Sequence, residues 1–82
     1  MHDPWLSKRI TIPEAEAEHM HAGKPFGFMN DQWEQLKSEM LEGDELWDFS
    51  SPPETWAHLA GRAGIALVRD GKVIRSLITM MN

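Results

Sequence analysis

The C-terminal quarter of the chain most strongly limits its fold, because two strand-forming runs flank a turn that sets how they pair. The runs read GIALVR and KVIRSLIT, and Asp70–Gly71 separates them. Asp-Gly is a preferred dipeptide of the two-residue type I′ turn, which joins antiparallel strands. The segment therefore predicts a C-terminal β-hairpin in which Val68 opposes Val73 and Leu67 opposes Ile74.

That register divides the side chains of the hairpin between two faces. Alternate residues of a strand point to opposite sides of the sheet, so the register decides which side chains share a side. We expect the more apolar face to line the core, and its members are Ile65, Leu67, Ile74, Ile78 and Met80.

The second face is only half apolar, and an apolar patch on a sheet needs cover from the same chain or from a partner. Aromatic and aliphatic residues with an arginine are also what protein interfaces are enriched in. We therefore predict an interaction surface on this face, made of Trp47, Val68, Val73, Arg75 and Leu77.

Start and stop signals mark a first helix in the stretch TIPEAEAEHMHAGKP. Thr11 and Glu14 have the spacing of a capping box. Gly23 suits a left-handed C-terminal position, and Pro25 blocks continuation. We expect a short helix that lies on the surface, with the short strand PFGFM after it carrying Phe26 and Phe28 on one face.

Hydrophobic periodicity predicts a second and stronger helix. Asn30 or Asp31 would cap its start and Gly43 would end it. Spacings of four, three and four residues place one apolar stripe on a helix face. The stripe consists of Met29, Trp33, Leu36 and Met40.

The stretch DELWDFSSPPETWAHLAG combines a strand with a third helix. Trp47 and Phe49 share one side of the extended part, which predicts a half-buried strand. Ser51 and Glu54 have capping-box spacing around two prolines, so a helix is expected from there to Ala60, with Trp56, Leu59 and Ala60 inward.

Together these elements predict an α+β fold with a small, mostly antiparallel sheet of three or four strands and two or three short helices on one face. The 82 residues are expected to form a single domain spanning 1–82. Residues 1–10 show no periodicity, and we expect them to be a loose arm anchored by Trp5.

Composition and charge narrow the classes of function. The chain has no cysteine, and its net charge is −5. Residues 1–61 carry four Lys/Arg against twelve Asp/Glu, and residues 62–82 carry four against one. An acidic body repels nucleic acid and anionic membranes, so neither is expected as a partner. We expect no cofactor and a cytoplasmic location, because thiol chemistry, a signal segment and a membrane span are all lacking.

Two pairs of residues have spacings that could support chemistry. Glu18 and His21 are three apart, and Glu54 and His58 are four apart, so each pair would share a helix face. A small metal-dependent or acid–base enzyme using these four residues is the alternative hypothesis. The preferred hypothesis is a non-catalytic, acidic protein-interaction module: a homodimer, or an inhibitor, adaptor or immunity-type partner of a larger protein.

Overall fold

The structure, a computed structural model, describes residues 4–82. It has an α+β architecture with an antiparallel main sheet of four strands and a separate two-stranded ribbon. In chain order the elements are β1 (Leu6–Ile10), α1 (Ile12–Glu18), β2 (Met20–His21), β3 (Lys24–Pro25), a 3₁₀ helix (Gly27–Met29), α2 (Asn30–Ser38), β4 (Glu45–Ser50), α3 (Pro53–Ala57), β5 (Arg62–Arg69) and β6 (Lys72–Met81). The main sheet has the strand order β1-β4-β5-β6, and β2 pairs with β3. The predicted fold class is confirmed.

The C-terminal hairpin turns where the sequence predicts. Asp70 and Gly71 have φ angles of 53° and 78°, as a type I′ turn requires at both central positions. Val68 lies opposite Val73, as expected. The pairing then shifts by one residue, so that Leu67 lies opposite Arg75 rather than Ile74.

This irregularity reverses the two faces of β6 beyond the turn. A one-residue shift moves every following side chain to the other side of the sheet. Leu77 therefore lies opposite Ile65 and is buried in the core, and Ile78 lies on the other side, opposite Gly64. The prediction that Ile74 and Ile78 line the core, with Leu77 on the second face, is wrong for this reason.

The core lies between the main sheet and the helices α1 and α2. Its centre is Trp33, which is fully buried and packs against Phe26 in a tilted arrangement, with ring centroids 4.6 Å apart. The Trp33 Nε1–H donates to Glu16 across 2.9 Å, and Lys37 binds the same carboxylate oxygen at 2.9 Å. The buried members of this core are Ile10, Ala15, Phe26, Trp33, Leu36, Leu46, Ile65, Leu67 and Leu77.

The N-terminal segment is not a loose arm where the structure describes it. Leu6–Ile10 forms β1, an edge strand paired with β4, and the Ser50 N–H donates to the Trp5 carbonyl across 2.9 Å. Leu6 and Ile10 are buried at the two ends of this strand. Two apolar anchors separated by three polar residues gave too weak a pattern to predict a strand. Residues 1–3 of the expected arm lie outside the described residues.

Helix α1 starts as predicted and ends early. The Thr11 hydroxyl accepts from the Glu14 N–H, and the Glu14 carboxylate accepts from the Thr11 N–H, so the capping box is confirmed. The helix ends at Glu18 because the next residues form the ribbon β2–β3, which turns at Ala22–Gly23. The prediction of a helix up to Gly23 is wrong.

The predicted strand over 25–29 is also wrong. Phe26 has a φ of 63°, which is incompatible with an extended chain, and Gly27–Met29 forms a 3₁₀ turn. Phe26 is buried, whereas Phe28 is 99 % exposed, so the two rings do not share a face.

Helix α2 carries the expected stripe but has different ends. Trp33 and Leu36 are buried, and Met29 and Met40 pack partly against the same core. Met29 is the N-cap residue, and the Asn30 side chain donates instead to the Pro25 carbonyl at 3.0 Å. The helix ends at Ser38 rather than near Gly43.

Helix α3 differs from its predicted form. Pro52 is its N-cap, and the buried Ser51 hydroxyl accepts from the Arg62 N–H at 2.9 Å instead of capping the helix. The helix ends at Ala57, and Leu59 has a φ of 59° and is exposed. The expected half-buried strand before it, β4, is confirmed.

Candidate interaction surface

The main sheet has a second apolar side, turned away from α1 and α2, which we call the open face. Four of its residues are buried as a cluster, and Trp47 packs against them. Of the residues that the structure describes, none from a helix belongs to this cluster. The buried members are Leu6, Phe49, Ala66 and Val68. The open face is therefore lined by strand residues, and no described helix contributes to its buried cluster.

A shallow depression of about 170 Å³ lies on the open face. Gly64 lies in the sheet beneath this depression, paired with Phe49 on β4 and with Ile78 on β6. Its lining is apolar except for one arginine and one serine. The lining residues are Trp5, Leu6, Phe49, Arg62, Ala66, Val73, Ser76 and Ile78.

The structure divides the interaction surface that the sequence predicts. Val68 and Val73 lie opposite each other on the open face, with Trp47 on the neighbouring row. Leu77 is instead buried under the helices. Arg75 also lies on the helix side, where its Nε and Nη2 bind the Glu39 carboxylate at 2.6 Å each.

Several open-face residues escaped the sequence analysis. Leu6 belongs to the strand that was not predicted, and Ile78 was assigned to the core because the irregularity at Ile74 leaves no mark in the sequence. Phe49 was correctly grouped with Trp47, and that two-residue alternation is the signal that finds this face.

The charged residues near the open face fall at opposite ends of its central strands. Glu45 begins β4, accepts from the Trp47 Nε1–H at 2.8 Å and lies 3.6 Å from the Arg9 guanidinium. Arg62 begins β5 at the other end, where its Nη1 donates to the Gly61 carbonyl at 2.8 Å. Three Lys or Arg residues are half-buried in the described chain. Lys37 and Arg69 form ion pairs, whereas Arg62 has no described carboxylate within ion-pair distance.

The helix side, by contrast, is rich in carboxylates that accept hydrogen bonds from cations and N–H groups. Arg69 binds Asp44 through two hydrogen bonds, of 2.8 and 2.7 Å, and the Asp44 side chain is 2 % exposed. The guanidinium and the Leu41 N–H lower the pKa of Asp44 to about 2. The Trp33 Nε1–H and the Lys37 ammonium likewise lower the pKa of Glu16. Asp44 ties the loop after α2 to β5, and Glu16 joins α1 to α2.

The carboxylate of Asp48, on the helix side, lies in a less favourable environment. Asp48, in the middle of β4, has a raised pKa because burial disfavours its charge and Glu18 adds repulsion. Its nearest cation is Lys8, with Nζ 3.9 Å from the carboxylate. A carboxylate that is partly buried and weakly paired costs stability when ionised.

The four residues of the alternative hypothesis do not form a site in the described chain. Glu18 ends α1 and His21 lies in β2, so they do not share a helix face. Glu54 lies in α3, and His58 is its C-cap residue. No group of three or more His, Asp or Glu side chains within residues 4–82 is placed to hold a metal ion.

Comparison with known proteins finds no matching protein-family model, no matching curated protein and no matching solved structure. Across residues 4–82, every helix is too short or too polar to cross a lipid bilayer. The function of the chain is therefore inferred from its own geometry.

Proposed function

We propose that this protein is a non-catalytic protein-interaction module that binds another protein surface through its open face. The observation that carries this proposal is a broad apolar sheet face with no helix packed against it in the described chain. Both Val73 and Ile78 remain more than a third exposed there. Contiguous exposed apolar area of this kind marks sites of association.

The composition of the open face supports a protein rather than a small polar ligand. Trp5, Trp47 and Phe49 provide large aromatic surface, and Arg62 adds a cation at the rim. Tryptophan and arginine are the residues that most often dominate binding energy at protein interfaces. The depression is shallow, whereas small-molecule sites are usually deep clefts of 300 Å³ or more, by rough survey values.

The enzyme hypothesis has no comparable support. Glu18 and His21 lie on α1 and β2, whereas Glu54 lies on α3 and His58 directly follows it. Within residues 4–82, no hydrogen bond or ion pair joins one pair to the other. We also propose that the module acts in the cytoplasm, in keeping with a chain without cysteine.

Site-specific photo-crosslinking tests the proposed function. The crosslinking residue p-benzoylphenylalanine is placed at position 78 on the open face and, as a matched control, at position 41. Leu41 is also an exposed aliphatic residue, but it lies in the loop after α2. We expect a discrete adduct in cells from position 78 and none from position 41. Equal labelling at both positions, or none at position 78, would contradict the proposal.

A further inference from the structure

We propose that a groove between β6 and α2 binds an extended segment of another protein, which joins the main sheet beside β6 as a fifth strand and carries an acidic residue at its C-terminal end. This groove, which we call the edge groove, has a volume of about 410 Å³. Gln32 and Gln35 of α2 form one wall, and Arg75 and Ser76 of β6 form the other. The edge groove lies on the helix side of the sheet, so this inference goes beyond the proposed function, which concerns the open face.

Within the described chain, β6 is a free edge of the main sheet. It is the last strand in the order β1-β4-β5-β6, so its backbone groups that point away from β5 pair with no described strand. The opposite edge, β1, has five residues, whereas β6 has ten. Lys8 and Arg9 of β1 also lie within ion-pair distance of carboxylates on β4. Short, charged edges resist pairing with a further strand, so β6 is the edge better suited to strand addition.

Exposed apolar side chains are concentrated on β6. Of the ten large apolar residues that are exposed in the described chain, five belong to this strand and none to β1. They are Val73, Ile74, Ile78, Met80 and Met81, and their exposed fractions run from 38 % to 61 %. A neighbouring strand would cover such side chains through cross-strand contacts while its backbone pairs with the edge.

The pairing of β6 with β5 shows where the added strand docks. The register is irregular near residues 73–75 and near residues 78–80, but residues 75–78 pair regularly with β5. Irregularities of this kind interrupt a hydrogen-bond ladder, so the regular ladder for a fifth strand lies over residues 75–78. Residues 75–77 also line the edge groove. The regular part of the edge and the groove therefore coincide.

The charge along β6 indicates the chemistry of the partner. The strand carries Lys72 and Arg75 and no acidic residue. Arg75 is bound to Glu39, whereas Lys72 has no carboxylate within ion-pair distance among residues 4–82. An antiparallel fifth strand brings its C-terminal end beside Lys72, which is the place for the acidic residue of the partner. Asp31, at the start of α2, lies at the opposite end of the groove and disfavours an acid there.

A second copy of β6 suits this edge less well. It offers no carboxylate to Lys72, because β6 has no acidic residue. Antiparallel pairing of two β6 strands would also bring Lys72 near the end of the other copy, where Arg62 lies opposite Met81. Two strand spacings, or roughly 10 Å, would then separate these cations.

A nuclear magnetic resonance titration of the ¹⁵N-labelled full chain tests this inference. The probe is a short synthetic peptide in which valine and threonine alternate and the C-terminal end consists of glutamates. We expect the amide signals of residues 75–78 to shift, and hydrogen exchange of their outward-pointing amides to slow at least about tenfold at saturation. Amides of β1, the other edge, should not respond. A peptide with proline at its central positions should not bind, because proline lacks the N–H that the ladder needs.

Matched variants test the groove and the charge. Gln32→Trp fills the groove and should weaken peptide binding at least about tenfold, whereas Glu34→Trp, on the same helix outside the groove, should not. Lys72→Glu should weaken binding about fivefold and favour a peptide that ends in lysines instead of glutamates. Lys24→Glu makes the same charge change at an exposed position of β3 and should have no effect. Circular dichroism checks that every variant folds.

The outcomes separate this inference from the proposed function. Unchanged β6 signals at high peptide concentration, or equal binding by the Gln32→Trp and Glu34→Trp variants, would overturn the edge groove as the binding site. A dimer that Gln32→Trp dissociates would overturn another protein as the occupant. The crosslinking residue at position 32 reports on the groove, and at position 78 it reports on the open face. An adduct from position 78 alone would support the proposed function and contradict the present inference.

Discussion

The two faces of the main sheet are built from the same strands, but they are completed in different ways. On one face, α1 and α2 bury Leu46, Ile65 and Leu77 together with Trp33. One ion pair joins the two helices, and another ties the loop after α2 to β5. On the other face, within residues 4–82, Phe49 and Val68 form a buried cluster with Leu6 and Ala66, and Trp47 packs against it. The strands therefore provide two apolar surfaces, and the described helices cover one of them.

The sharpest test of this comparison uses two adjacent residues of β6. Leu77 is 4 % exposed on the helix side, and Ile78 is 38 % exposed on the open face. Leu77→Ala should cost about 2–5 kcal/mol of unfolding free energy, because it leaves a cavity in the core. Ile78→Ala should cost about 1 kcal/mol or less in the monomer. Urea denaturation at low protein concentration measures both, and equal losses would show that the open face is covered after all.

Gly64 provides a test within the open face itself. A Cβ atom at this position would lie 2.0 Å from the Leu77 carbonyl oxygen, which belongs to the backbone and cannot move aside cheaply. Gly64→Ala should therefore destabilise by about 1–3 kcal/mol, even though its neighbours on this face tolerate change. Thermal unfolding followed by circular dichroism measures the loss, with Ser76→Ala as the exposed control on β6. A neutral Gly64→Ala would mean that β5 and β6 are less closely paired than described.

The Asp44–Arg69 pair tests how the helical layer is fastened. The pKa of Asp44 is lowered to about 2 from 3.8 in the unfolded chain. A lowered pKa stabilises the fold above the unfolded value, and this contribution is lost as the pH falls from about 4 to about 2. Asp44→Asn should reduce stability at pH 7 by less than Gly64→Ala does, because Arg69 is a third exposed.

The same variant should also flatten the acid limb of the stability curve. Chemical denaturation at several pH values between 2 and 7 records the change. An acid limb identical to that of the parent protein would exclude Asp44 as its source.

The smallest expected effect is an increase in the free energy of unfolding. The pKa of Asp48 is raised by burial, so its ionisation disfavours the fold once the pH exceeds the folded-state value. Asp48→Asn should slightly increase stability at pH 7 and have no effect below the unfolded pKa, where both forms are neutral. Lys8→Met, which removes the cation 3.9 Å away, should act in the opposite direction at pH 7. A loss of stability in Asp48→Asn at pH 7 would show that the Lys8 pair outweighs burial.

Much of the local structure could be predicted because it depends on neighbours in sequence. The Asp70–Gly71 turn, the capping box at Thr11 and the apolar stripe through Trp33 and Leu36 are each defined by residues only a few positions apart. The capping box predicted at Ser51 and Glu54 does not form, because the Ser51 hydroxyl accepts from the Arg62 N–H, eleven residues away, and not from its own helix.

The candidate surface was predicted only in part. Alternation along β4 correctly grouped Trp47 with Phe49, and Val68 and Val73 were correctly paired across the turn. Arg75 and Leu77 were placed on the wrong face because one extra residue of β6 at the irregularity shifts the alternation. The shift turns Leu77 into the core, and the residue pattern of the single sequence does not show it.

By itself, the sequence determined the class of fold, the turn of the hairpin and the existence of two apolar sides on the sheet. These follow from backbone preferences and from the two-residue period of strands, which act locally. The tertiary structure alone decided which side the helices cover, that Leu6–Ile10 joins the sheet, and that Ile78 rather than Leu77 faces outward. Such choices depend on the packing of residues that lie far apart in the chain, where the gain from burial exceeds any local preference.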